Sequence, residues 1–208
     1  KFNWFSGFEW INSNEFIIND GHDYVLVNPS LKTAKAVTKI KEEGENSLVS
    51  STSFNVAFTI ENNVFVKNSK SGNEQQVTNF SDKNIVSGQA IARSEFGITG
   101  GLFWSPNGEV LAFYQKDETE VHNYPLLDIS ATPGTLRSIK YPMAGQKSEK
   151  PKVGIYNVDT KNLVYISPKG ASDDYLTNLT FTPDNKYVVI AEVNRDQNHM
   201  WLNVYDAT

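Results

Sequence analysis

The stretch FWSPNGEVLAF at residues 103–113 determines the fold prediction, because it contains an aromatic strand end, a tight turn and a hydrophobic strand. Pro106 suits the second position of a type I turn, since its fixed φ is already correct for that position. Gly108 accommodates the positive φ that often follows such a turn. The stretch FTPDNKYVVIA at residues 181–191 repeats the arrangement. The unit is therefore a structural repeat.

Two looser copies of the unit begin at Phe8 and Ser51, which brings the number of copies to four. Each copy is followed by short runs rich in β-branched and aromatic residues, separated by turns of Asn, Asp, Gly and Pro. A repeat of about 40–50 residues with about four strands is typical of a β-propeller blade. We predict an all-β fold of four-stranded antiparallel sheets with about four blades, the third carrying an insertion near residues 118–152. The predicted blade boundaries are approximately 1–45, 46–90, 91–170 and 171–208.

The fourth predicted blade ends at Thr208, where a further turn and strand would be expected. A propeller closes by packing its last blade against its first, and four-bladed closure is rare. We therefore predict that residues 1–208 form part of a larger ring. A closed four-bladed propeller, acting as a lectin-like module or enzyme scaffold, is the rival prediction and requires the first and last blades to meet.

Composition limits the classes of function. The 208 residues carry a formal net charge of −5, which argues against a nucleic-acid-binding surface. The chain has no cysteine, so it has neither disulfides nor thiolate metal sites. No apolar run is long enough for a transmembrane helix. The N-terminal Lys1-Phe2-Asn3-Trp4 is typical of a strand rather than a signal peptide.

Motifs for catalysis and metal binding are missing from the sequence. No Gly-x-Ser-x-Gly nucleophile elbow is present, and the three histidines (His22, His122 and His199) are scattered among loop-like segments. We predict no catalytic residue, no metal site and no cofactor in this chain. The acidic run Asp117-Glu118-Thr119-Glu120 lacks the spacing of a calcium loop, so we interpret it as a solvated turn or insertion.

Several motifs follow one another in a family-like order between residues 92 and 165. They are Glu95-Phe96, FWSPNG at 103–108, DETEV at 117–121 and YPMAG at 141–145. Together they resemble the N-terminal propeller of dipeptidyl peptidase IV and its bacterial relatives, the prolyl oligopeptidase-type serine peptidases. The resemblance implies an eight-bladed propeller that caps an α/β-hydrolase domain, and an enzyme that removes X-Pro or X-Ala dipeptides from peptide N-termini.

The resemblance also implies a substrate-binding residue. In the family, one or two glutamates on a propeller insertion bind the free α-amino group of the substrate. This chain has Arg93-Ser94-Glu95 there, so Glu95 is the candidate amine anchor, with Arg93 and Phe96 as site neighbours. A carboxylate in a poorly hydrated cavity can hold an ammonium by a charge-assisted hydrogen bond. The alternative is that Glu95 is an ordinary solvated surface residue.

The implied partners are a peptide with a free N-terminus, the hydrolase domain of the same parent chain and a second copy in a homodimer. The implied location is the periplasm or cell surface. On this interpretation the 208 residues gate substrate access and bind the amine, while the nucleophile and triad lie elsewhere, so the sequence leaves open whether the chain itself is to be called an enzyme. The alternative function is a stand-alone propeller module that binds peptides or a protein partner without hydrolysis.

Overall fold

The structure of the protein is a computed structural model that describes residues 7–207. The strand predicted at Lys1-Phe2-Asn3-Trp4 therefore lies outside the described residues. Antiparallel strands dominate this part of the chain, as the sequence predicts, and they form four separate sheets and one two-stranded hairpin. The first sheet contains β1 (Gly7–Trp10), β2 (Phe16–Asn19), β3 (Asp23–Asn28) and β4 (Thr33–Lys39). The second contains β5 (Glu45–Val49), β6 (Val56–Ile60), β7 (Asn63–Lys67) and β8 (Glu74–Gln76).

The third sheet is interrupted by the insertion. It begins with β9 (Ile85–Ser87), β10 (Leu102–Trp104) and β11 (Val110–Asp117). The chain then forms the separate hairpin of β12 (Asn123–Asp128) and β13 (Thr135–Lys140) before it returns with β14 (Lys150–Asn157) and β15 (Leu163–Ile166). The fourth sheet contains β16 (Tyr175–Phe181), β17 (Tyr187–Val193) and β18 (Met200–Asp206).

The third sheet has five strands because β11 is longer than its neighbour β10. The three residues of β10 pair with the first half of β11, from Leu111 to Phe113. The second half of β11 keeps an open edge on that side, and β9 pairs there with Gln115–Asp117. The chain between β9 and β10 therefore leaves and re-enters the same sheet edge, and it carries the 3₁₀ segment Ala92–Gly97, the one helical segment within residues 7–207.

The turn predicted at Pro106–Gly108 also joins neighbouring sheets. The Gly108 N–H donates to the carbonyl of Ser105 at 2.8 Å, and φ of Gly108 is +71°, as the sequence predicts. A Cβ on Gly108 would overlap the hydroxyl oxygens of Ser50 and Ser53, which belong to the corresponding turn of the second sheet. Glycine is needed here both for its backbone conformation and for close approach.

The cores lie between successive sheets, as expected for stacked blades. One cluster between the second and third sheets includes Val64, Leu111 and Phe113, each fully buried. Another lies between the third and fourth sheets and includes Tyr114, Val153 and Ile190. No sheet among the described residues closes into a ring, and the first and fourth sheets share no strand. No core cluster within residues 7–207 joins the first and fourth sheets either, so the rival prediction of a closed four-bladed propeller is not supported.

Candidate functional site

The candidate amine anchor Glu95 lies in a turn with an unusual backbone. Ala92, Arg93, Ser94 and Phe96 all have φ between 52° and 63°, in the left-handed region. Glu95 alone has an ordinary extended conformation, with φ −65° and ψ 167°. A left-handed conformation costs a non-glycine residue about 1–2 kcal/mol, so the surrounding structure must stabilise this turn.

Contacts at both ends of the turn hold it in place. The Ala92 N–H donates to Oε1 of Glu149 at 2.6 Å, and both residues are buried. The Ser94 N–H donates to the Ile91 carbonyl at 3.0 Å, and the Ile98 N–H donates to the Glu95 carbonyl at 3.1 Å. Ile91 and Ile98 are buried in the core between the third and fourth sheets. The turn is therefore anchored on either side of an exposed Glu95.

A buried network of charges lies beneath the turn. Nζ of Lys116 is 3.1 Å from Oε1 of Glu118 and 3.7 Å from Oε2 of Glu149. Oε1 of Glu118 also accepts a hydrogen bond from the Arg93 guanidinium at 3.3 Å. Two carboxylates thus meet two cations, so the charges balance within the network; Lys116 is largely shielded from solvent, whereas Arg93 reaches the exposed surface.

This network corrects the interpretation of residues 117–120 as a solvated turn. Glu120 is exposed, but Glu118 is only 7% exposed. The physical reason is the cation pair, Lys116 and Arg93, which compensates the desolvation of the Glu118 carboxylate. Asp117 is partly buried, and its pKa is lowered: burial alone would raise the pKa, but hydrogen bonds from Thr119 outweigh that effect.

Glu95 opens onto a small cleft between the third and fourth sheets. The cleft has a volume of about 130 Å³. Its charged and aromatic lining residues are Arg93, Glu95, Tyr141, Glu149, Asp173, Tyr175 and Arg195. Gln197, from the loop between β17 and β18, donates a hydrogen bond through Nε2 to Oε2 of Glu95 at 3.4 Å.

Two arginines on opposite walls of the cleft lie against tyrosine rings. The Arg195 guanidinium is 4.4 Å from the centroid of Tyr175, and Nε of Arg195 is 3.9 Å from Oδ2 of Asp173. The Arg93 guanidinium is 5.6 Å from the centroid of Tyr141. Cation–π contacts of this kind restrict where the arginines can point.

The carboxylates around the cleft differ in their partners. Asp173, Glu118 and Glu149 each have an arginine or lysine nitrogen within 4 Å. Within residues 7–207, Glu95 has no such cation, and its carboxylate accepts a hydrogen bond only from the Gln197 amide. The cleft therefore presents an uncompensated negative charge at Glu95.

The predicted neighbours of Glu95 occupy different positions. Arg93 lines the same cleft. Phe96 does not line it, but its ring packs against the ring of Tyr175 at a centroid distance of 4.9 Å. The roles of Glu95, Arg93 and Phe96 in binding stay predictions.

Sequence reasoning did not single out Glu149, Asp173, Tyr175 or Arg195 as site residues. Glu149 lies 57 positions from its partner Ala92, and the contact arises only because β14 returns beside β11. Arg195 belongs to the stretch NRDQNH at 194–199, which also resembles the bacterial members of the family, although that likeness assigns no role to the arginine.

Residues 7–207 contain neither a metal-binding cluster nor a membrane-spanning helix. They hold no group of three or more His, Cys, Asp or Glu side chains arranged to bind a metal ion. They also form no helix that is long and apolar enough to cross a membrane.

The stacked antiparallel sheets of three to five strands, with an insertion in the third and a cleft beside it, define consecutive blades of a β-propeller. The sequence model of the family described as "Dipeptidyl peptidase IV (DPP IV) N-terminal region" matches residues 16–208. The chain belongs to this family, so the resemblance noted from the sequence is confirmed.

Similar proteins agree with this assignment. Dipeptidyl peptidase 4 of Sus scrofa is 29% identical over 173 residues, which cover 73% of this chain and 22% of the relative. A solved structure from Bacteroides ovatus, described as a dipeptidyl aminopeptidase IV, is 40% identical with a TM-score of 0.81, and the match covers 95% of this chain and 27% of that one. Porphyromonas gingivalis dipeptidyl peptidase 4 shares the fold, with 24% identity, a TM-score of 0.75 and coverage of 98% and 29%.

The chain spans under a third of the length of each of these relatives. Its fold is that of a partial dipeptidyl peptidase IV propeller, as predicted. The blade boundaries stay a prediction.

Proposed function

We propose that residues 1–208 are the non-catalytic propeller region of a serine dipeptidyl peptidase that removes X-Pro or X-Ala dipeptides, and that Glu95 binds the α-amino group of the substrate. The observation that carries the proposal is the charge imbalance at the cleft, where Glu95 is the one lining carboxylate without a cation among the described residues. A protonated amine would supply that cation.

The chemistry of the cleft suits an ammonium group. An N-terminal amine has three N–H donors and one positive charge, so it can donate to the Glu95 carboxylate and to a second acceptor. Gln197 donates to Glu95 through Nε2, which leaves its amide oxygen as that acceptor. The sequence has one glutamate here rather than two and leaves open whether one is enough; in this proposal the Gln197 amide oxygen takes the place of the second acceptor.

Anchoring the amine sets the distance to the scissile bond. A substrate held by its first nitrogen presents its second peptide bond at a fixed position, which is catalysis by positioning. In this proposal an α/β-hydrolase domain of the same parent chain supplies the serine, aspartate and histidine. The propeller limits access to that domain, so short or unfolded peptides enter and folded proteins do not.

Two further parts of the proposal concern assembly and location. The β12–β13 hairpin exposes Leu127, Ile129 and Leu136, with 64%, 81% and 77% of their surface accessible. An exposed apolar patch of this kind suits a protein interface, and we assign it to a homodimer contact. The bacterial origin of the two similar structures supports a periplasmic or cell-surface location.

The test is hydrolysis of Gly-Pro-p-nitroanilide by the full-length gene product, wild type against Glu95→Gln. We expect kcat/KM to fall by about 100-fold or more, because the uncharged amide cannot pair with the ammonium. Glu61→Gln, at an exposed turn of the second sheet, is the matched control and should leave activity within about twofold.

Unchanged activity in Glu95→Gln would return Glu95 to the class of solvated surface residues. A wild-type protein without dipeptidyl peptidase activity would instead favour the alternative function, a propeller module that binds peptides or a protein partner without hydrolysis.

A further inference from the structure

Glu149 is a buried carboxylate that sequence reasoning gave no role. Its side chain is 8% exposed, and its Oε1 accepts the Ala92 N–H at 2.6 Å. Its Oε2 has no hydrogen-bond partner among the residues that the structure describes. Burying a carboxylate is costly unless it is paired, so its position calls for a specific explanation.

The turn that carries Glu95 needs an external support. Ile91 precedes the turn and offers no side-chain cap to its first N–H groups. Glu149 provides that cap from a distant part of the chain, across 57 positions. A carboxylate that accepts a backbone N–H makes a stronger bond than a neutral acceptor, which suits a turn with four left-handed non-glycine residues.

The charge network ties the same turn a second time. From Glu149 it passes through Lys116 to Glu118, and from Glu118 to the guanidinium of Arg93. It therefore starts on the backbone of Ala92 and ends on the side chain of the next residue. Because both ends reach one turn, the network restricts the direction in which the following Glu95 points.

We propose that Glu149 is a positioning residue that acts on substrate through the Ala92–Gly97 turn and Glu95, with Lys116 and Glu118 completing the support. This inference rests on the proposed role of Glu95 in binding the amine. Glu149 acts on the turn and not on the ammonium, since its Oε2, which lies beside Lys116, is inaccessible to solvent.

The experiment distinguishes the effect of side-chain length from the effect of charge at position 149, in the full-length gene product. Glu149→Asp keeps the charge beside Lys116 but shortens the side chain by one C–C bond, about 1.5 Å, so it cannot reach the Ala92 N–H without a shift. Glu149→Gln keeps the length and an oxygen acceptor but loses the charge. We expect kcat/KM for Gly-Pro-p-nitroanilide to fall about tenfold or more in Glu149→Asp. The fall should be smaller in Glu149→Gln, which keeps the hydrogen bond to the Ala92 N–H and loses only the charge pairing with Lys116.

Coupling to Glu95 distinguishes positioning from general destabilisation. Combined with Glu95→Gln, Glu149→Asp should cost less than about twofold further, because the carboxylate that it positions is already gone. Glu120→Gln, an exposed acid of the same insertion paired with Lys150 at 2.9 Å, is the control and should leave kcat/KM within about twofold. Melting curves of all variants are recorded first, and every kcat/KM is measured at a temperature at which the least stable variant, Glu149→Asp included, is fully folded.

Each outcome has one meaning. A tenfold loss in Glu149→Asp that disappears in the Glu95→Gln background supports the inference. The inference is overturned if the loss of kcat/KM in Glu149→Asp persists in the Glu95→Gln background. It is also overturned if Glu149→Gln loses as much kcat/KM as Glu149→Asp. The third contradicting result is that both Glu149 variants stay within about threefold of wild type while Glu95→Gln is impaired. An unimpaired Glu95→Gln would overturn the proposed function itself, and the two failures are therefore distinguishable.

Discussion

Gly154 is packed against the face of a buried aromatic ring. It lies in β14 opposite Phe113 of β11, and a Cβ at this position would overlap that ring. We predict that Gly154→Ala lowers the free energy of unfolding by about 2 kcal/mol or more, because a packed core cannot accommodate the added methyl group without strain.

Gly100 provides the matched control for this prediction. A Cβ at Gly100 would meet no atom within 4 Å, and its φ is not in the left-handed region. Gly100→Ala should therefore change stability by less than about 0.5 kcal/mol. Denaturant titration of both variants tests the pair, and equal stabilities would show that the Phe113 ring can move aside.

Asp117 gives a prediction about pH. Its folded-state pKa is lowered from 3.8, because hydrogen bonds from Thr119 outweigh the opposing effect of burial. Its contribution to stability is therefore complete above the unfolded pKa and is lost as the pH falls through the folded pKa. We expect Asp117→Asn to melt below wild type at pH 7, by less than about 3 °C, and to match it near pH 2. A gap that widens in acid would contradict this sign.

The site was only partly predictable at the residue scale. Glu95 could be proposed because a motif surrounds it, although the motif says nothing of its missing counter-ion. Glu118 was wrongly interpreted as solvated, because its partners Lys116 and Arg93 lie on different segments whose meeting depends on the sheet. Long-range pairing of buried charges leaves no local pattern in a sequence.

At the scale of elements, the repeated turns connect one sheet to the next. Asn55 of the second sheet donates through Nδ2 to the Gly108 carbonyl at 3.2 Å and accepts the Ser69 N–H at 3.1 Å. Because Asn55 is buried, its loss leaves polar groups unsatisfied. We predict that Asn55→Ala destabilises the protein by about 1–3 kcal/mol, measured by denaturant unfolding.

The exposed Asn73 is the control for that substitution, since it lies in a loop of the same sheet. Asn73→Ala should be nearly neutral, within about 0.5 kcal/mol. If the two variants were equally stable, the turns would contribute little to the joining of sheets.

The repeat predicted most of the strands, because the residues after each turn either alternate between apolar and polar or are apolar throughout, and both patterns are typical of strands. The two ends of the unit at 103–113 lie in β10 and β11. The unit at 181–191 contains the last residue of β16 and most of β17. The short strand β9 was not predicted, since its pairing depends on the unequal lengths of β10 and β11. The β12–β13 hairpin was predicted only as an insertion, because its side chains are mainly exposed and follow no burial pattern.

The hairpin carries a prediction about assembly. Leu127 and Leu136 are directly paired across β12 and β13, and both are exposed. Leu127→Asp with Leu136→Asp should leave the blades folded but convert the proposed dimer of the full-length protein to a monomer, because two carboxylates would be buried at the interface. Light scattering after size exclusion measures the mass.

Leu31→Asp is the matched control, because Leu31 is 72% exposed on a turn of the first sheet. It should leave the mass unchanged. A dimer that survives both hairpin substitutions would remove the hairpin from the interface.

At the scale of the whole molecule, the outer strands expose apolar side chains. β1 exposes Phe8 and Trp10, and β18 exposes Met200, Trp201 and Leu202. In the eight-bladed ring that the family resemblance implies, neighbouring blades would cover such faces. Packing of neighbouring blades on these faces would also fix the angle between the third and fourth sheets. That angle sets the width of the cleft between the two sheets.

The central claim is that the cleft recognises a positive charge through Glu95. The most direct test is calorimetric binding of glycine pyrrolidide to the full-length gene product, compared with its analogue in which a hydroxyl replaces the amine. We predict that the wild type binds the amine at least about tenfold more tightly than the hydroxyl analogue, and that Glu95→Gln reduces this ratio to about one. A ratio that is the same in wild type and Glu95→Gln would contradict the claim.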